Sequence, residues 1–309
     1  MKNNMNNNFN SIIKRNGYGS NFNILYLNDD KTLILKKTIN NYGLKKLKYE
    51  INFYNFILNN KINLQIPTIH NYNDDIIMMD YINENKLNID YFDLILENLK
   101  NLHCFNNKTI DKNYYKQLLF EETIIKIKER YKIIQHLLEK NILFVNNIKL
   151  LNYNDIICKL TDFFNLYVNE LDKYILEPIH GDPQYNNIIF NNKEIFFIDP
   201  KGIFGTSEIY GIKEYDIAKL YFSLSGYYNF DNMIIEDVII DNNNLNINYI
   251  NTPNFNIHEK NNYYKNIDVK LVKYLFISIW LSNAHMFINQ PNKVIYSFYT
   301  GLYFASSLL

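Results

Sequence analysis

The residues with the clearest chemical potential lie between positions 179 and 205, in the stretch IHGDPQYNNIIFNNKEIFFIDPKGIFG. Its two apolar runs, 188–190 and 195–198, flank a polar corner at 191–194, which predicts a β-hairpin. Polar groups stand at both ends of that hairpin: His180 and Asp182 ahead of it, Asn187 at its start and Asp199 just after it. Antiparallel pairing brings Asn187 and Asp199 together. An amide oxygen and a carboxylate suit a hard divalent cation such as Mg²⁺, which takes one or two protein oxygens and fills its shell with phosphate and water. Asp182 beside them could orient a hydroxyl and accept its proton. The pattern Asp-x-x-x-x-Asn, hairpin, Asp is thus a phosphoryl-transfer constellation.

The same residues carry a family resemblance. His180, Gly181, Asp182 and Asn187, followed by Ile198, Asp199 and Pro200, resemble the signature of the aminoglycoside phosphotransferase and choline kinase branch of the kinase-like superfamily. Protein kinases have Arg where Gly181 stands and Asp-Phe-Gly where Asp199, Pro200 and Lys201 stand, so the departure favours a small-molecule acceptor. The stretch between Asp199 and Asp216 is also short for an activation segment. The resemblance implies an α+β, protein-kinase-like two-lobe fold with a small antiparallel-sheet N-lobe and a larger, mainly helical C-lobe. It implies ATP and Mg²⁺ as cofactors, with His180, Asp182 and Lys36 as catalytic residues and Asn187 and Asp199 as metal ligands. The local pattern Ile-Asp-Pro-Lys-Gly-x-Phe-Gly with Tyr-Asp-Ile-Ala-Lys-Leu looks most like bacterial members associated with capsular or surface polysaccharide synthesis. The expected acceptor is therefore the hydroxyl of a sugar or polyol. A choline, ethanolamine or aminoglycoside acceptor is the alternative, and a non-catalytic scaffold a further one.

Such chemistry needs a partner lobe upstream. Residues 1–10 read as a polar lead, 11–80 as an N-lobe and 81–309 as a C-lobe. Strands are expected at 23–27 and 32–36, then at 68–71 and 76–79, in an antiparallel sheet of about five strands. Gly17 and Gly19 bracket Tyr18 and let a turn approach a ligand closely, with the N–H groups of Ser20 and Asn21 facing phosphate oxygens. Taken alone, such a Gly-rich turn is weak evidence. Strand side chains alternate, so only one of Lys36 and Lys37 can point inward; the resemblance selects Lys36 from Leu33-Ile34-Leu35-Lys36. In the helix LKKLKYEINFYNFIL an apolar stripe of Leu47, Ile51, Tyr54 and Leu58 is expected, and Glu50 is either a surface residue or the partner of Lys36. By resemblance the crossing segment Asp80, Tyr81 and Ile82 presents its backbone to adenine.

Beyond the crossing, 91–105 predicts a helix ending in Leu102 and His103, the histidine reading as a packing or capping residue. The region 114–176 has neither Gly nor Pro and reads as helical, shaping either an acceptor pocket or an oligomer surface. Asp216, in Tyr-Asp-Ile-Ala, by resemblance anchors the catalytic loop. Lys201 could neutralise phosphate, contact an anionic acceptor or form a structural ion pair. Trp280, Asn283 and His285 read as helix core.

Composition limits the partners. The 32 Lys and Arg balance 32 Asp and Glu, so no basic nucleic-acid footprint is expected. Two cysteines give no disulfide framework and suit a reducing cytoplasm. No run long and apolar enough to span a membrane occurs, and the first ten residues lack a signal-peptide core. Asn is so abundant that isolated Asn residues carry little weight.

Overall fold

The computed structural model describes residues 9–13, 21–83, 91–138, 141–191 and 194–309. Alternating apolar runs in the first part form strands β1 (Phe9–Ile13), β2 (Asn23–Asn28), β3 (Leu33–Thr38), β4 (Ile69–Tyr72) and β5 (Ile76–Asp80). They make one antiparallel sheet in the order β1-β2-β3-β5-β4. The described chain is already in a strand at Phe9, where an Asn-rich segment gains its structure from pairing with β2.

Helix α1 (Asn41–Asn59) starts at Asn40, whose side chain accepts the Gly43 N–H. Its buried face is Leu47, Glu50, Phe53, Tyr54 and Ile57. The expected stripe is therefore rotated: Leu47 and Tyr54 belong to it, but Leu58 is exposed. A buried Glu50 on the inner face shifts the apolar residues around the helix, and a count of apolar spacing alone cannot see that.

The mainly helical lobe follows with α2 (Phe92–His103), α3 (Lys112–Phe120), a π-turn at Glu121–Ile125, α4 (Lys126–Ile134) and α5 (Tyr153–Glu170). The hairpin is β6 (Ile188–Asn191) with β7 (Glu194–Phe197), paired Ile188 to Phe197. Then come α6 (Lys213–Phe222), α7 (Val269–Asn283) and α8 (Pro291–Leu308). The region 114–176 is not all helix. Phe144–Val145 and Ile148–Lys149 form a hairpin turned by Asn146 and Asn147, and Asn242 and Asn243 turn a second, Ile240–Asp241 with Asn244–Leu245, which pairs with the first. All four Asn have positive φ, 48° to 64°. Asparagine tolerates that conformation, so the residues discounted as background supply the turns.

Buried side chains form one core cluster that runs from Leu47, Phe53 and Ile77 through Ile188 and Phe197 to Trp280 and Ala305. Among the described residues no helix is long and apolar enough to cross a membrane.

Candidate active site

Lys36 occupies the inward position of β3: it is 5% exposed, while Lys37 faces solvent. Its ammonium lies 2.7 and 2.9 Å from the two carboxylate oxygens of Glu50 and forms an ion pair with Asp199. Burial alone would lower the Lys36 pKa, but Asp199 and then Glu50 raise it above the ordinary lysine value, so the ammonium stays charged.

The hairpin supplies the opposite wall. The Ile198 N–H donates to the Asn187 carbonyl at 3.0 Å, which sets Asn187 beside Asp199. Asn187 Nδ2 donates to the Asp182 carbonyl at 2.9 Å and to Asp182 Oδ2 at 3.2 Å, joining the three residues. Asp199 has φ 52°, a left-handed backbone that is uncommon for a non-glycine residue and is stored where the surrounding structure enforces it. Gly202 comes shortly after with φ 63°, and a Cβ there would lie 2.4 Å from the Tyr49 carbonyl on α1. Only glycine allows that contact between the two lobes.

The loop before the hairpin is held from below. Asp216, in the first turn of α6, accepts the His180 N–H at 2.9 Å and the Gly181 N–H at 2.7 Å. His103 at the end of α2 lies 3.0 Å from the same carboxylate and 2.8 Å from the Tyr264 hydroxyl. His103 thus links three segments, where the sequence reading has packing or capping. Its distant partners, Asp216 and Tyr264, become visible only in the fold.

His180 departs from its expected catalytic place. It is fully buried, sits between Phe53 and Phe197, and does not line the cleft; its Nδ1 accepts the Asp182 N–H at 3.3 Å. Burial lowers its pKa and favours the neutral ring, although Asp216 and Asp182 oppose the shift. It lies behind Asp182, bonded to its backbone, and not in the cleft.

Asp182, Asn187, Asp199, Lys36, Glu50, Asp80, Tyr81, Ile82 and Lys201 all line one cleft of about 690 Å³. The Asp80 and Tyr81 N–H groups are already taken by the carbonyls of Thr68 and Thr32. Asn21 is exposed and off the cleft wall, its carbonyl accepting from Asn40; Phe22 and Asn23 line that end. Gly17, Gly19 and Ser20 lie outside the described residues.

Two cations that the sequence did not single out, Lys219 and Lys126, stand on the far side with Lys201. Lys219 pairs with Asp182 at 2.9 Å. Burial would raise the Asp182 pKa, but Lys219 outweighs it and holds the carboxyl below the ordinary value, hence ionised. Lys219 lies one turn after Asp216 on α6, and that i to i+3 spacing was the available signal. Lys201 pairs with the buried Glu122 of the π-turn, as does Lys126. Asn283 is buried, as expected, and donates to Ser297 Oγ at 3.2 Å, but it also borders the cleft, where α7 ends; Trp280 is fully buried.

A metal would find only part of its shell here. Among the described residues no group of three or more His, Cys, Asp or Glu gathers to hold an ion. Asp199 and the Asn187 amide nevertheless fit Mg²⁺ that arrives with phosphate oxygens and water.

No protein-family model and no curated protein matches the chain. Solved structures do. A putative fructosamine-3-kinase from Haemophilus somnus 129PT aligns with TM-score 0.56 at 12% identity, over 95% of this chain and 90% of that one. A Plasmodium vivax ethanolamine kinase aligns with TM-score 0.53 at 16% identity, over 96% and 81%. An aminoglycoside phosphotransferase with ADP bound aligns with TM-score 0.51 at 16% identity, over 93% and 86%. At such identities the likeness concerns the backbone: the chain has the protein-kinase-like two-lobe α+β fold that these three proteins share.

Proposed function

We propose that the protein is an ATP- and Mg²⁺-dependent phosphotransferase that moves the terminal phosphoryl group to a hydroxyl of a small molecule. The observation that carries this reading is the convergence of Asp182, Asn187 and Asp199, from two ends of one hairpin, on a cleft shared with the Lys36–Glu50 pair. Lys36 is charged and held by Glu50, ready to bind nucleotide phosphates in exchange for Asp199. Bound MgATP would supply the transferable phosphoryl group and the counter-charge for it. Asn187 and Asp199 would hold the metal through their side-chain oxygens. Asp182, ionised, would orient the acceptor hydroxyl and receive its proton late in the transfer. The Ile82 N–H is the donor for the adenine edge in this reading. The lobes divide at 80/81, and free, exposed Cys104 and Cys158 suit a cytoplasmic location.

For the acceptor, the sugar or polyol of the sequence reading stands beside a second class. That class is an amine-bearing acceptor, by analogy with fold neighbours named as ethanolamine kinase and aminoglycoside phosphotransferase. A link to surface polysaccharide has no support from the comparisons.

The test is Asp182→Asn, assayed by ADP release and phosphate mass gain on pooled sugars, polyols and amino alcohols. Turnover should fall by roughly 100-fold or more while MgATP affinity holds. Turnover within a few-fold of wild type would remove Asp182 from the catalytic role. A wild type that binds MgATP yet phosphorylates none of the pools would favour the scaffold reading.

A further inference from the structure

The wall of the cleft beyond Asp182 is built on three residues spaced by four: Glu122, Lys126 and Arg130. The π-turn Glu121–Ile125 joins α3 to α4 there, and such insertions re-aim side chains inside a helix, often at functional sites. Glu122 is buried beneath the wall, where it also accepts the Tyr215 hydroxyl at 2.6 Å. Lys126 and Arg130 line the cleft above it. Lys201 and Lys219 complete the cluster, with their ammonium groups 5.4 and 5.9 Å from the Tyr215 ring centre.

The cluster does not balance. Lys126 and Lys201 share one carboxylate, Glu122, and Lys219 takes Asp182. Arg130 donates to the Ser282 carbonyl at 2.9 Å, and among the described residues no carboxylate lies within ion-pair distance of its guanidinium. Four cationic side chains therefore share two ion-paired carboxylates, and with Asp231 counted as a third on the wall the cations still outnumber them. Asp231, also on the wall, accepts from the Tyr227 hydroxyl at 3.0 Å and from Asn186 at 3.4 Å. A purely structural ion-pair network would pair its members, because an uncompensated charge in a half-buried cluster is costly.

The surroundings register the excess. Burial, opposed by Glu122 but reinforced by Lys201 and Arg130, pushes the Lys126 pKa well below the ordinary lysine value. His285, in the short helical turn Ala284–Phe287 that follows α7, has its pKa held down to about 4 by burial and then by Arg130 and Lys126, and its Nδ1 has no hydrogen-bond partner among the described residues. A cationic acceptor amine would meet repulsion on this wall. A planar anion would meet a guanidinium suited to bidentate binding.

On the kinase reading above, we infer that the acceptor is a hydroxylated molecule bearing an anionic group, a carboxylate or a phosphate, which Arg130 and Lys126 hold while its hydroxyl lies at Asp182. The anion supplies the missing counter-charge and fixes which hydroxyl reaches the carboxylate.

The experiment uses one six-carbon chain in four forms: sorbitol, gluconate, sorbitol 6-phosphate and 1-amino-1-deoxysorbitol. Each is titrated into the full-length protein with MgADP by calorimetry and assayed with MgATP for ADP release and mass gain. At least one anionic form should bind roughly 10- to 100-fold more tightly than sorbitol, and the amine less tightly than sorbitol. Gluconate against the phosphate ester distinguishes the two anions. Arg130→Gln should erase the preference with MgATP affinity unchanged, and Arg130→Lys should restore part of it. If the anionic forms bind no better than sorbitol, if all four bind equally weakly, or if Arg130→Gln weakens MgATP instead, the inference fails. Preferential transfer to the amine would overturn it while upholding the kinase reading; failure of the wild type to bind MgATP would remove the kinase reading itself.

Discussion

Asp199 serves two partners at the scale of single residues. It neutralises Lys36 in the present arrangement and is proposed to face metal once nucleotide binds. Asp199→Ala should therefore abolish Mg²⁺-coupled nucleotide binding with little change in fold, and Asn187→Ala should weaken it less, since an amide contributes a dipole and no net charge. Calorimetry with ATP in the presence and absence of Mg²⁺ reads both effects, and an undiminished Mg²⁺ dependence in the Asp199 variant would show the ligand assignment to be mistaken. His285 gives a prediction in pH. Its folded pKa of about 4 lies below the ordinary 6.5, so on acidification the unfolded chain takes up that proton first. The associated stability is complete above pH 6.5 and is lost as pH falls toward about 4. His285→Asn should flatten that portion of the urea-midpoint profile, and an imidazole NMR titration centred near 6.5 would contradict it.

Between elements, the loop that carries Asp182 depends on a relay of helices rather than on its own turn. Asp216 on α6 holds two of its N–H groups, and His103 on α2 holds Asp216 with Tyr264 behind it. Every member of this chain is buried, so removing one leaves polar atoms unpaired. His103→Phe should cost roughly 2–4 kcal/mol in urea unfolding, the range of a broken buried network with charged members. It should also lower turnover while leaving MgATP affinity nearly intact, because the loop positions Asp182 and not the nucleotide. Equal losses in both would indicate general loosening. The Tyr264→Phe change removes only the outer hydroxyl and should cost about 1 kcal/mol.

Across the whole molecule the two lobes are stitched at several points. Lys36 meets Asp199, Phe53 packs on His180, the Phe197 N–H donates to the Gln65 carbonyl at 2.9 Å, and Gly202 rides against Tyr49. With the core continuous across these contacts, unfolding should be one transition even at 309 residues, a length at which domains commonly separate. The chain has a single tryptophan, Trp280, fully buried in the helical lobe with its indole N–H on Ser225 Oγ at 2.9 Å. Its fluorescence reads that lobe alone, whereas far-UV circular dichroism reads both. The two urea curves should coincide, and an earlier circular-dichroism transition would mean that the sheet lobe melts by itself.

Local pattern determined much of this protein. The hairpin between Asn187 and Asp199, the strands around Lys36 and the existence of α1 all follow from apolar periodicity and short-range spacing, which the chain carries wherever it folds. Two-residue alternation also restricted the inward lysine to Lys36 or Lys37, the family resemblance selected Lys36, and the sheet register turns Lys36 inward, since a one-residue slip would exchange the two faces. Tertiary structure alone decided the rest. It turned Glu50 into the buried centre of its helix face, withdrew His180 from the cleft, and revealed the turns hidden in Asn146, Asn147, Asn242 and Asn243. It also assembled the cationic wall from Lys126, Arg130, Lys201 and Lys219, which lie up to 93 positions apart between Lys126 and Lys219. Taken one at a time in the sequence only Lys201 stands out, by its place after Asp199 and Pro200, and Lys126, Arg130 and Lys219 read as ordinary solvated side chains. Their charge gains meaning only where burial brings them to one surface, because an electrostatic excess is a property of a place and not of a residue.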